Sequence, residues 1–367
     1  TYIMWMDFCY TKEIFMQMLK KERSSNIEWF RIITMIIIVA HHYVVNSNLI
    51  NIIEAKIYLN AQDIFILLFG WGGKTGINCF VLITGYFMCT SDITVKKYCK
   101  LIGEYYFYTI VIWVIFLVTG YSSFSIKEFL NVIFPFFNIG GGFTSCYLLF
   151  YLFIPFINKL INSMNEIEHR KLLVLCIAIY TILPSFFKAK VQFNYITWFI
   201  ILYFIASYIR KYPNKYFENK KLWCYLSIAS LAISWLSVIV FAYLERVIGR
   251  NGLVYFEVAD SNKILALITS VCLFMLFKNL NIKQNKVINN VAASTFGVLL
   301  IHANSDTMRK FLWYDVFDGT KYYGTAILYV HAILSVIIIF AICILIDILR
   351  RMTLEKVFLE KIRKRTT

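Results

Sequence analysis

Residues 26–43 read NIEWFRIITMIIIVAHHY. As a helix these residues would reach about 27 Å, close to the ~30 Å hydrocarbon thickness of a bilayer. The middle, Ile32 to Ala40, carries no charge, while Glu28, Arg31, His41 and His42 stand toward the two ends. The stretch therefore reads as a membrane span over about 29–48 that carries chemistry. Composition extends that reading to the whole chain of 367 residues, which is 60% apolar and only 16% charged, with mean hydropathy +0.66. Soluble domains run about 45–50% apolar and about 25% charged. A soluble exterior must meet water and has no place for the excess. With 15 Gly and 4 Pro, the composition also excludes collagen-like and disordered chains.

Working outward, nine further apolar runs follow, at 64–90, 101–120, 143–161, 172–187, 193–209, 222–243, 262–278, 287–303 and 326–347. The expected fold is all-α: a polytopic membrane helix bundle of about ten transmembrane helices, forming one domain over 1–367. Its core is 24–347, with a basic tail at 348–367. GWGGKTG (70–76) interrupts the second run, so that span is expected to begin near Gly76. The short stretch 126–142 is expected to lie in the interface or to re-enter. The ninth run carries Ala292, Ala293, Ser294 and Gly297, small residues that suit a helix packed inside the bundle. Most basic residues fall in alternate connections, among them Lys96, Lys97 and Lys100, then Arg210, Lys211 and Lys215, then the tail. This predicts both termini in the cytoplasm (N-in, C-in) and outside loops at 49–62, 121–142, 244–261 and 304–325. No cleavable signal peptide is expected, because the first long apolar run is a full span with charge inside it.

The net charge is +16. In this setting it points to anionic membrane lipid rather than nucleic acid, because no basic domain exists outside the spans. The nine cysteines form no CxxC and no zinc spacing, so no metal site is expected. GGKTG (72–76) lacks the first glycine of a phosphate loop, since Leu68 stands there.

Ionisable groups inside spans are costly, about 2.5–3.5 kcal/mol each on insertion scales, and mark sites. Glu28 and Arg31 are three apart and can pair. Arg31 and His42 are eleven apart, which returns to nearly the same helix face about 16 Å along the axis. His41 points about 100° away. His302 and His331 fall at a depth similar to that of His42, and His169 is placed in a cytoplasmic loop. Histidine is the side chain best suited to proton transfer near neutral pH.

The segment 26–43 resembles the opening helix of the acyltransferase-3 family, bacterial membrane O-acyltransferases of cell-surface glycans. The matching residues are Glu28, Arg31 three later, and His42 eleven beyond that. GINCFVLITGYFM (76–88), ending in Thr84 and Gly85, is similar to the family's second helix, and STFGVLLIHANSDTMR (294–309) to its late segment with His302. The resemblance runs over about 24–347. It implies transfer of a short acyl group, acetyl first among them, from cytoplasmic acyl-CoA to a hydroxyl of an extracytoplasmic polysaccharide or its lipid-linked precursor, in the bacterial cytoplasmic membrane. It makes His42 the base and Glu28 the orienting partner of Arg31. Arg31, Lys96 and Lys97 would meet the CoA phosphates, and His41, His302 and Arg309 would hold the acceptor. The rival reading is a transporter, a glycan exporter or a proton-coupled carrier, since intramembrane His, Arg and Glu suit proton relays too. Carriers commonly show two related halves, and none is visible here.

Overall fold

The computed structural model describes residues 24–134, 136, 142–187, 191 and 194–355. The expected basic tail lies, from residue 356 on, outside the described residues, as does most of 135–141. Among the described residues all regular structure is helical. Helix α1 is Ser25–Val45, α2 Leu49–Glu54, α3 Ala61–Gly70, α4 Gly73–Met88, α5 Val95–Val118, α6 Ile126–Ile133 and α7 Phe143–Ser163. Helix α8, Glu166–Ile177, continues through a π-type turn to Phe186. Then come α9 Tyr195–Lys211, α10 Lys220–Ile248, α11 Ile264–Lys278, α12 Lys286–Ala292, α13 Thr295–His302, α14 Asp306–Lys310 and α15 Ile327–Arg350.

Seven helical segments among these residues are long and apolar enough to cross a membrane, and one bent pair would make an eighth. The protein is thus a multi-pass membrane helix bundle, with fewer straight crossings than the ten apolar runs suggest. Hydropathy registers an apolar run whether it faces lipid or protein. Helices α9 and α11 have 17 and 15 residues. They reach only about 26 and 23 Å, and most of their residues are buried against other helices. The ninth run is broken after Ala292, and the chain bends by 94° between His302 and Asp306.

The outer helices show how the sequence sets orientation in lipid. On α10 the buried positions Ser227, Ser230, Ser234, Val238 and Ala242 recur at helical spacing and form a small-residue stripe toward the bundle. Ser234 Oγ lies 2.9 Å from Thr269 Oγ1 of α11. The opposite face exposes Ile233, Leu236, Val240 and Val247. That is the face water would reject and lipid accepts.

The centre of the bundle is α1 packed on α4, with α9 and α11 against α4 and α11, α12, α13 and α15 against α1. The contact explains the glycines of GWGGKTG. A Cβ on Gly72 would meet Ile37 at 2.2 Å, and on Gly76 would meet Ile38 at 2.7 Å. The span therefore does not begin near Gly76. The chain is helical over Ala61–Met88 apart from a turn at Trp71–Gly72, and the glycines let α1 approach rather than break the crossing. Ser25 and Asn26 fasten the start of α1. Asn26 Nδ2 donates to the Phe277 and Lys278 carbonyls at 3.0 and 2.9 Å, and the Asn285 amide donates to Ser25 Oγ at 2.8 Å. Helix α6 is eight residues long with one apolar edge, and it turns Val132 inward while Phe129 and Leu130 stay exposed.

Candidate active site

A cavity of about 580 Å³ opens between α1, α4, α5, α6 and the bend after α13. Helix α1 contributes Met35, Ile38, His41 and His42; α4 contributes Lys74, Ile77 and Phe80. Tyr105, Thr109, Trp113 and Phe116 line it from α5, Glu128 and Asn131 from α6. The bend supplies Asn304, Ser305, Asp306 and Arg309. Cavities of this size and mixed lining suit a small substrate or one sugar unit.

The histidines are held in distinct ways. His41 Nδ1–H donates to the Gly70 carbonyl at 2.6 Å. This contact exists because Gly73 leaves room for the ring: a Cβ there would fall 2.2 Å from His41 Cδ2. His42 Nδ1 lies 2.5 Å from Asn46 Nδ2, one turn on, and Asn46 also caps α1 through its backbone N–H on the His42 carbonyl. The His42 ring stands edge-on to His302, with centroids 5.2 Å apart. His302 is fully buried, donates Nδ1–H to the Val298 carbonyl at 2.6 Å, and leaves Nε2 without a partner. It is not among the residues lining the cavity, so it backs His42 rather than facing a ligand.

The other sequence candidates divide. Arg309 lines the cavity and pairs with Asp306 at 2.5 Å. Arg31 lies one turn before Met35, beyond the cavity's inner end. Its guanidinium sits 6.0 Å over the ring of Phe80, which does line the cavity. Its Nε is 3.6 Å from Glu28 Oε2, too long for a hydrogen bond, and both atoms are buried without a hydrogen-bond partner. Lys96 and Lys97 open α5 in exposed positions; Lys97 Nζ donates to the Asp92 carbonyl at 2.6 Å, and neither lysine reaches the cavity.

His331 shares the depth but not the site, with Nδ1 2.9 Å from the Tyr43 hydroxyl. His169 is in the first turn of α8 rather than a loop, fully buried, with Nε2–H on the Phe204 carbonyl at 3.0 Å. Its segment joins the helix because Asn165 and Glu168 form a reciprocal N-terminal cap, a local signal that hydropathy does not register. Two residues escaped the sequence reading. Asn46 follows His42 by four, the spacing that places it on the same face. Lys74 is a charge inside an apolar run, masked by its resemblance to a phosphate loop.

The fold is that of a multi-pass membrane protein, and its interior cavity is lined by His41 and His42 together with Lys74 and Arg309. The family model described as "Acyltransferase domain" matches residues 24–348, so the chain belongs to the acyltransferase-3 family and is a membrane acyltransferase. No curated protein and no solved structure matches it.

Proposed function

We propose that this protein moves a short acyl group, acetyl in the simplest case, from cytoplasmic acyl-CoA to a hydroxyl of an extracytoplasmic cell-surface polysaccharide or its lipid-linked precursor, in a bacterial cytoplasmic membrane. The observation that carries the reading is His42. It faces the cavity, is backed by His302 and Asn46, and stands about 16 Å along α1 from Arg31, whose Nε has no hydrogen-bond partner among the described residues. Arg31, oriented by Glu28, meets the donor's phosphates, with Lys96 and Lys97, exposed at the start of α5, as further phosphate contacts. The pantetheine arm then brings the thioester toward His42.

In the transfer, His42 takes the proton of the sugar hydroxyl as its oxygen bonds to the thioester carbonyl carbon. The tetrahedral intermediate collapses with cleavage of the C–S bond, and the imidazolium returns the proton to the leaving thiolate. The products are the acyl ester and free CoA thiol. A positioned base of this kind is worth about 10²–10⁴ in rate. Base action through Nε2 requires Nδ1 to carry the hydrogen. Asn46 must then present its amide oxygen, a half-turn of the amide from the orientation described above. His302 holds the imidazole edge-on, while His41 and Arg309 contact the acceptor.

The test is transfer of labelled acetyl from acetyl-CoA to surface glycan in membranes with and without the gene, beside acetyl-CoA binding to the purified protein. A carrier would move glycan or protons without consuming acetyl-CoA, and that result sinks the enzyme reading in favour of transport. The orientation is checked separately. Outside labelling should reach a cysteine placed at Lys127 or Asp318 and miss one at Lys97 or Lys215; the reverse pattern moves the donor to the other face.

A further inference from the structure

Lys74 is the cation of the cavity that the proposed chemistry leaves unused. Around the expected outer end of the bundle, some of the other cations stand beside carboxylates: Lys56 by Asp63 at 2.6 Å, Arg246 by Glu245 at 3.5 Å and Lys321 by Asp318 at 3.8 Å. Among the described residues, no carboxylate lies within ion-pair distance of Lys74. Its ammonium donates to the Tyr195 hydroxyl at 2.7 Å and lies 5.4 Å from that ring's centroid. A half-buried ammonium at this depth is costly unless a negative charge meets it.

Arg309, on the same cavity, is only loosely committed. Its partner Asp306 has a side chain 98% exposed, so water screens the pair, and Arg309 Nε is buried with no hydrogen bond. Glu128 also lines the cavity, and among the described residues it forms no ion pair with either cation.

We infer that the acceptor taken by this site is an anionic glycan, whose carboxylate or phosphate docks on Lys74 with Arg309 as the second donor. The inference rests on the reading that the cavity receives a glycan hydroxyl. An ammonium is a point charge and accepts either anion. Partial burial makes the contact stronger than a surface pair. Lys74 follows Gly73, which packs on the His41 ring, so an anion held there is anchored beside the histidines and fixes which hydroxyl of its sugar faces His42.

The test uses the full chain in lipid nanodiscs and two matched pairs of probes: a uronic-acid disaccharide against its carboxyl-reduced form, and glucose 1-phosphate against glucose. The charged member of at least one pair should bind about tenfold tighter or better, as expected for a charge-assisted contact. The pair that discriminates identifies the anion as carboxylate or phosphate. Lys74→Met should bring the ratio close to one, Lys74→Arg should keep most of it, and Arg309→Gln should reduce it less. Equal affinity within both pairs, or discrimination that survives Lys74→Met, overturns the inference. The wild-type ratio decides the matter even where a variant fails to fold. Acetyl-CoA binding to the same preparation reports on the donor reading alone, so the two failures are distinguishable.

Discussion

Arg31 and Arg350 both stand on apolar helices, and the bundle treats them in opposite ways. Arg350, ending α15, is enclosed by carboxylates: Asp347 at 2.9 Å, Glu355 at 3.2 Å and Glu104 of α5 at 3.3 Å. Tyr108 donates to the same Asp347 oxygen at 2.8 Å, and Gly297 lets α13 press against that carboxylate. The group does not line the cavity. Arg31 has a single carboxylate beyond hydrogen-bond reach, and it adjoins a cavity that carries His42. A buried charge surrounded by its own partners locks helices together. One left short of partners beside a void is placed for something that arrives. The histidines differ in the same sense: His169 is packed away from any cavity with Nε2–H on the Phe204 carbonyl, and His42 lines the cavity.

The largest effect should come from the open region. His42→Ala should lower acyl transfer by about 10²–10⁴-fold, the usual worth of a positioned base, while the protein still inserts and still binds acetyl-CoA. His41→Ala should cost less, and His331→Ala least. Near-normal transfer in folded His42→Ala would remove the base assignment. If transfer survived there but vanished in His302→Ala, the base would lie on α13.

The closed region should fail in a different currency. Arg350→Met leaves Asp347 and Glu104 buried without their counter-charge, a change that typically costs about 3–5 kcal/mol. Denaturant unfolding in detergent should show that loss, and Glu104→Gln in the same chain should recover part of it. Arg31→Met should move the unfolding curve less, because the buried Glu28 loses a single partner that already stands beyond hydrogen-bond reach. An equal loss in both variants would erase the distinction between the two arginines.

Next comes the donor contact. Arg31→Ala should weaken acetyl-CoA binding by an amount near 1.5–3 kcal/mol, the worth of a charge-assisted hydrogen bond, read by titration calorimetry. Unchanged affinity in folded protein would assign the donor elsewhere.

How much of this was legible beforehand differs by region. The class of fold follows from composition, and the Glu28–Arg31–His42 stripe from helical spacing alone, because both are local. The shortness of α9 and α11 was not legible, since burial by neighbouring helices and burial by lipid select the same residues. Nor was the Arg350 cluster, whose members Glu104 and Asp347 meet only through the packing of α5 on α15. His302 could be placed at the right depth, but its position behind His42 rather than on the cavity wall depends on the bend before Asp306. Asn46 needed only the step of four from His42, and Lys74 only the question of why a charge interrupts an apolar run.

The smallest effect belongs to the lysines at the start of α5, and it sharpens the contrast most finely. Lys96 and Lys97 are exposed, Lys97 holds the Asp92 carbonyl, and neither lines the cavity. Water solvates both ammonium groups, and either can stand in for the other near a phosphate. Exposed ionic contacts are worth about 0.2–1 kcal/mol, so Lys97→Ala should weaken acetyl-CoA by no more than about fivefold, and the loss should fade as salt is raised. The half-buried Arg31 contact should be screened far less. Titrations of both variants at low and high salt separate the two kinds of charge. A loss in Lys97→Ala that equals that of Arg31→Ala and persists in salt would place the phosphates at the start of α5 as much as on Arg31 and erase the distinction between the two kinds of charge.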